Sequence, residues 1–150
     1  MMTMDIFDRI MEWRVLRPFR PFYKKYKEQL LYLLFGGLTT VVSIGVFALF
    51  TEAIPLDELV ANILSWIFAV LFAFVTNRTW VFQGAKTENL WKQMLTFYAG
   101  RLATLLVEEL MLLVLVKWLL LNAMAVKLAA QVVIVILNYV ISKLFIFRKQ

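Results

Sequence analysis

The chain has 150 residues, 63% of them hydrophobic, and its 16 Lys and Arg against 10 Asp and Glu give a net charge of +6. A mean hydropathy of +0.79 is more than a soluble core of this size can hide, so lipid must cover much of the apolar surface. With no Cys and no His, disulfides, thiol chemistry, imidazole acid–base work and the usual zinc sites are excluded.

Residues 1–28 are too polar to span a bilayer. Ile6, Phe7, Ile10, Trp13 and Leu16 interleave with Asp8, Arg9, Glu12, Arg14 and Arg17. That pattern predicts a short amphipathic helix on the cytoplasmic membrane surface, stopped by Pro18 and Pro21. No apolar h-region precedes Leu30, so a cleavable signal peptide is not expected. The Lys24–Lys27 cluster either contacts anionic lipid or only sets topology. Residues 29–150 then form one four-helix transmembrane domain, with spans predicted at Leu30–Phe50, Leu59–Val75, Leu95–Leu121 and Leu128–Leu144. The fold class is all-α.

Each span has a polar or small-residue face. Gly36, Thr40 and Ser43 align on the first; Asn62, Ser65, Ala69, Ala73, Thr76 and Asn77 align on the second. Small residues at helical spacing let helices approach closely, and packing is their plain reading. In the third span Arg101, Phe97, Thr104 and Glu108 share one face, and Glu109 sits at its edge. An intramembrane charge costs roughly 2.5–3.5 kcal/mol, so three in one span point to a specific use or a specific partner. Arg101 and Glu108 lie about 10.5 Å apart along the axis, too far for a direct intrahelical salt bridge. Glu108 and Glu109 therefore serve either coupling or charge balance, with Arg101 or Lys127 as partners. In the fourth span Lys127, Gln131, Asn138 and Ser142 fall within a sector of about 60°. That stripe should face the bundle or an aqueous cavity, because lipid would leave it without partners. Trp80, Phe82, Phe145 and Phe147 flank Arg78 and Lys143 as an inner aromatic and basic belt, where a lipid phosphate would also sit.

The charges fix an orientation. Thirteen of the 16 basic residues lie in the N-terminal segment, around Arg78, Lys86 and Lys92, or at Lys143, Arg148 and Lys149. Lys117 and Lys127 are on the other side. The positive-inside rule places both termini in the cytoplasm, for a multi-pass protein of the cytoplasmic membrane.

The second and fourth spans also repeat each other. Ala61–Phe82 and Val126–Phe147 align without a gap at an offset of 65, with Arg78 over Lys143 and Phe82 over Phe147. The same offset lays Tyr32 over Phe97 and Thr39 over Thr104. A shift shared by both members of a hydrophobic pair predicts two duplicated helical hairpins. An even number of spans per unit makes this a parallel repeat about the membrane normal.

Taken in order, Phe35-Gly36-Gly37, Asn77-Arg78-Thr79-Trp80-Val81-Phe82, Phe97-Tyr98 before Arg101, and Asn138-Tyr139 before Lys143-Leu144-Phe145-Ile146-Phe147 form a pattern. On these motifs the chain resembles the GtrA-like family of small four-span membrane proteins over about Gln29–Phe147. The resemblance implies translocation of a polyprenyl-phosphate-linked monosaccharide for cell-surface polysaccharide or teichoic acid glycosylation, usually beside a membrane glycosyltransferase. Asn77, Arg101, Lys127 and Asn138 match its functional positions. Glu108 and Glu109 are not part of the pattern.

Translocation needs a groove that is polar for the headgroup and open to lipid for the polyprenyl tail. Arg101 suits the phosphate, because guanidinium binds it bidentately and stays charged when desolvated. Asn138 and Asn77 suit sugar hydroxyls, and Lys127 could receive the phosphate near the outer end. Gln131, Arg78 and Lys143 complete the expected substrate-binding set. There is no nucleophile–base pair, metal cluster or nucleotide loop, so the expectation is a non-enzyme without cofactor and without nucleic acid as a partner. Four helices enclose only a thin cavity, so a homodimer is expected. The alternatives are a small ion-coupled exporter using Glu108 or Glu109, and a non-transporting partner of a glycosyltransferase.

The orientation has a direct test. In intact cells, single cysteines at Asp57 and Asn122 should react with an impermeant thiol reagent, and one at Lys86 should not. Labelling at Lys86 but not at Asp57 would reverse it.

Overall fold

A computed structural model describes residues 4–82 and 89–147; Lys86, Arg148 and Lys149 of the topology argument lie outside the described residues. The described residues form five α-helices and no strand: α1 Ile6–Ile10, α2 Arg20–Ala48, α3 Glu58–Thr76, α4 Leu90–Leu112 and α5 Ala123–Ile141. Including their end turns, three helices are long and apolar enough to cross a membrane: Arg17–Ala53, Val60–Val81 and Ala125–Ile146. α4 is of similar length, but Arg101, Glu108 and Glu109 set it apart from those three.

Local chemistry explains the starts. Asp5 caps α1 by accepting from the Asp8 amide at 2.9 Å, and Asp8 returns the bond to the Asp5 amide at 3.2 Å. Asn89 and Asn122 cap α4 and α5, accepting from Trp91 N at 2.9 Å and Ala125 N at 3.1 Å. The prolines do not stop the N-terminal helix as expected. α1 has already ended at Ile10, and Pro18 and Pro21 stand in the first turns of a 3₁₀ turn (Arg17–Phe19) and of α2. There the missing N–H costs nothing and the fixed φ is already helical.

The chain divides between Gln83 and Gly84 into two compact units. In the first, α2 packs on α3; in the second, α4 packs on α5. Each of these helices ends in a wider, π-type turn, and the closures recur at the 65-residue offset. Phe82 N donates to Asn77 O at 2.8 Å, as Phe147 N does to Ser142 O at 2.8 Å. Ile54 N donates to Leu49 O at 2.9 Å, as Leu119 N does to Val114 O at 3.0 Å. The side chains follow: Tyr32 meets Phe82 at 6.3 Å and 55°, and Phe97 meets Phe147 at 5.9 Å and 58°.

Burial corrects the belt of aromatics. Phe82 and Phe147 are 1% exposed and belong to the cores of their units, whereas Phe145 is 61% exposed. Trp80 stacks on Phe35 at 5.4 Å and 12°, and Phe7 of α1 meets both rings edge-on at 6.4 and 5.6 Å. The small residues also split. Ser65, Ala69 and Ala73 are buried, as packing requires, but a Cβ at Gly36 or Gly37 would meet nothing within 4 Å. Close approach occurs at Gly100 instead, where a Cβ would stand 3.2 Å from Ile141 Cγ2.

Lys27 is the other correction. It does not extend a lipid-facing cluster with Lys24 and Lys25, because its ammonium lies 2.7 Å from Asp5 and 2.9 Å from Asp8. That clamp, with Phe7, ties α1 to the hairpin of the first unit.

Phe82→Ala and Phe147→Ala should each destabilise the protein by about 3–5 kcal/mol, while Phe145→Ala should be near neutral. Thermal unfolding in detergent micelles will show the difference. Equal losses at Phe145 and Phe147 would contradict the inward turn.

Candidate functional site

The polar residues of α4 and α5 meet across the seam of the second unit in two rungs. In the first, the buried Thr104 hydroxyl donates to Asn138 Oδ1 at 2.8 Å, with the Arg101 carbonyl as a second acceptor at 3.0 Å. A threonine has one proton to give, so the bond is shared, and Asn138 is held by its oxygen. Its Nδ2 group, with two donors, is then turned away from Thr104. One turn along α4 lies the second rung, where Gln131 Nε2 donates to Glu108 Oε1 at 2.6 Å.

Arg101 belongs to the first rung. Its guanidinium carbon lies 4.7 Å above the centroid of the Phe97 ring, one turn earlier on α4, and the residue is half-buried. The cation is stabilised by the ring face, and the flat support fixes the plane in which its N–H donors point. Phe97 is itself fixed, 1% exposed and packed on Phe147. The closure of the second unit therefore sets the guanidinium's height and tilt.

The remaining expected residues are distributed around this cluster. Lys143, in the terminal π-type turn of α5, donates to the Tyr139 hydroxyl at 3.3 Å and lies 5.6 Å over that ring. Lys127 is exposed in the first turns of α5. Glu109 is not on the seam with Glu108: it lines an open cavity of about 530 Å³ with Leu106, Leu110, Leu113, Val116 and Lys117. Glu108 accepts from Gln131, where charge balance called for Arg101 or Lys127. Asn77 and Arg78 lie in the π-type turn of the first unit, where Asn77 is 3% exposed and gives its carbonyl to close the turn. Among the described residues no group of His, Cys, Asp or Glu could hold a metal ion.

Two buried polar side chains stand out in the structure more than in the sequence. Thr104 was visible only as a neighbour of Arg101 at helical spacing, although it is the residue that ties α4 to Asn138. Gln93, 1% exposed near the start of α4, carried no pattern that distinguished it from a solvated loop residue.

The offset of 65 shows where the two units diverge. Arg101, Asn138, Gln131 and Lys127 correspond to Gly36, Ala73, Trp66 and Asn62, whereas Thr104 corresponds to Thr39. In the first unit Thr39 bonds only its own helix, to Phe35 O at 2.7 Å. The same scaffold thus carries charged residues at Arg101 and Lys127 in one copy and neutral ones, Gly36 and Asn62, in the other.

Residues 31–147 match the model of the family described as "GtrA/DPMS, transmembrane domain". The chain is similar to the cell wall teichoic acid glycosylation protein GtcA of Listeria monocytogenes, at 35% identity over 123 residues, covering 79% of this chain and 83% of that protein. The Listeria innocua protein of that name is similar to the same extent. YwcD, an uncharacterized membrane protein of Bacillus subtilis, is 35% identical over 122 residues, covering 79% of this chain and 95% of that one. No solved structure matches.

Replacing Thr104 with Val should cost about 0.5–1.5 kcal/mol in thermal stability and free the Asn138 amide, whereas Thr104→Ser should be nearly silent. Equal behaviour of Val and Ser at this position would show that the hydroxyl does not hold Asn138.

Proposed function

The chain belongs to the GtrA/DPMS transmembrane-domain family, and from that premise we propose that it moves a polyprenyl-phosphate-linked monosaccharide across the cytoplasmic membrane for glycosylation of a cell-wall polymer. The observation that carries the proposal is the cluster of Arg101, Thr104 and Asn138 in the second unit, where the first has Gly36 and Ala73 in place of Arg101 and Asn138. The activity named for the Listeria relatives supports it.

Moving a phosphate and a sugar through hydrocarbon fails for an isolated headgroup because its charge and hydroxyls lose water. Arg101, supported on Phe97, offers two parallel donors to phosphate oxygens and remains charged out of water. Asn138, anchored through its oxygen by Thr104, offers its amide hydrogens to sugar hydroxyls or to the same phosphate. Lys143 at one end of α5 and Lys127 at the other attract the anion before and after this point. Gln131 holds the Glu108 carboxylate, which keeps a negative charge two turns from Arg101 in a defined place.

In this reading α2, α3, α4 and α5 all span, both termini are cytoplasmic, and residues 29–150 act as one transmembrane domain after a surface segment. The protein transports without covalent chemistry. A membrane glycosyltransferase supplies the lipid-linked sugar, and two copies complete the passage.

Purified protein in liposomes should move a labelled polyprenyl-phosphate sugar between leaflets. Arg101→Lys should reduce the rate by about tenfold or more with insertion intact, because losing one charge-assisted hydrogen bond costs ~1.5–3 kcal/mol. The double variant Arg101→Leu/Glu108→Leu should insert and remain inactive. Transport restored in that double variant would reduce Arg101 to a structural charge.

A further inference from the structure

The first 25 residues are not absorbed by the transport site, and their charges are sorted in an uneven way. Three carboxylates occur there, at Asp5, Asp8 and Glu12. Lys27 lies 2.7 Å from Asp5 and 2.9 Å from Asp8, and Arg20 lies 3.6 Å from Glu12. Each acid in the segment therefore has a basic neighbour. Arg9, Arg14, Arg17, Lys24 and Lys25 are all exposed, and Glu28, the next acid along the chain, is one carboxylate against these five cations.

Large apolar side chains are exposed among those cations. Trp13 is 66% exposed, Val15 81%, Phe19 61% and Phe22 58%. Topology-setting charge alone would not require them, since the positive-inside effect reads only Lys and Arg. Nor is the segment loosely attached. The Asp5–Asp8–Lys27 clamp and the Phe7–Phe35–Trp80 ring cluster hold α1 to the first unit. Tyr26, at φ −115° and ψ 20°, breaks the regular helix between this part of α2 and the apolar run that begins at Leu30. The chain can thus change direction at the place where composition turns from mixed to apolar.

We propose that residues 9–25 are a docking surface for anionic phospholipid headgroups, with Trp13, Val15, Phe19 and Phe22 inserted at the interface and Arg14, Arg17, Lys24 and Lys25 on the phosphates. Aromatic and aliphatic side chains among cations are the combination that an anionic interface accepts and that water does not. Lys27 takes no part, because its ammonium is held by the two aspartates. The surface fixes the depth of α2 in the bilayer independently of whatever α4 and α5 carry.

The chain has no cysteine, so a single Val15→Cys substitution in the full-length protein gives a unique site for a spin label. Reconstituted in vesicles containing phosphatidylglycerol, the label should lie about 5–10 Å below the headgroup phosphates, judged by its accessibility to oxygen against a water-soluble nickel chelate. In purely neutral phosphatidylcholine vesicles it should rise into water. So should the label in phosphatidylglycerol vesicles when Arg14, Arg17, Lys24 and Lys25 are all Gln. Lys27→Gln added alone should not abolish the response to anionic lipid. A label that stays in water in both vesicles overturns the proposal and leaves the surface to a protein partner. Equal immersion in both vesicles also overturns it, since charge would then play no part.

Discussion

A hydroxyl, amide or carboxylate within an apolar helix has no water to turn to, so it must find a partner inside the protein. Much of this structure follows from that constraint. Thr39, Thr51 and Thr76 solve it locally by bonding carbonyls one turn back on their own helices. Thr104 and Gln131 solve it across a seam, to Asn138 and Glu108, and so fix the register of α4 against α5. The local solution yields a helix that could pack in many ways. The cross-seam solution yields one arrangement, and it is the arrangement that gathers Arg101 and Asn138.

Duplication supplied the frame on which this happened. In both units a tyrosine or phenylalanine on the first long helix meets a phenylalanine that ends the second, and the same amide-to-carbonyl closure follows. Those positions were legible from the aligned letters because burial tolerates little change: an aromatic ring at 1% exposure cannot be exchanged for a polar group without a large cost. Between the fixed points the copies were free to diverge. Gly36 stands where Arg101 does, and with no neighbour within 4 Å of its Cβ position it leaves an open helix surface where the other unit has a cation on a ring.

The N-terminal segment illustrates the limits of reading charge as a list. Lys24, Lys25 and Lys27 look equivalent in a run of basic residues. Lys25 is two residues from Lys27 and so on another face, the non-helical Tyr26 interrupts the helix between Lys24 and Lys27, and it is Lys27 that reaches the two aspartates of α1. The difference rests on a contact 19 residues apart in the chain, which no local pattern encodes.

Composition and periodicity by themselves determined that this is an all-helical membrane protein with duplicated elements, since hydropathy and a fixed offset are properties of the chain rather than of its packing. They also singled out Arg101, Asn138 and Lys127, because polar groups in apolar helices stand out against their surroundings. What they left open were the pairings. Whether Glu108 meets Arg101 or Gln131, whether Phe147 anchors in headgroups or closes a core, and whether Gly36 or Gly100 is the point of close approach depend on contacts between helices. Such contacts are set by side-chain length, the width of the terminal turns and register. Those quantities exist only once two helices have been laid against each other.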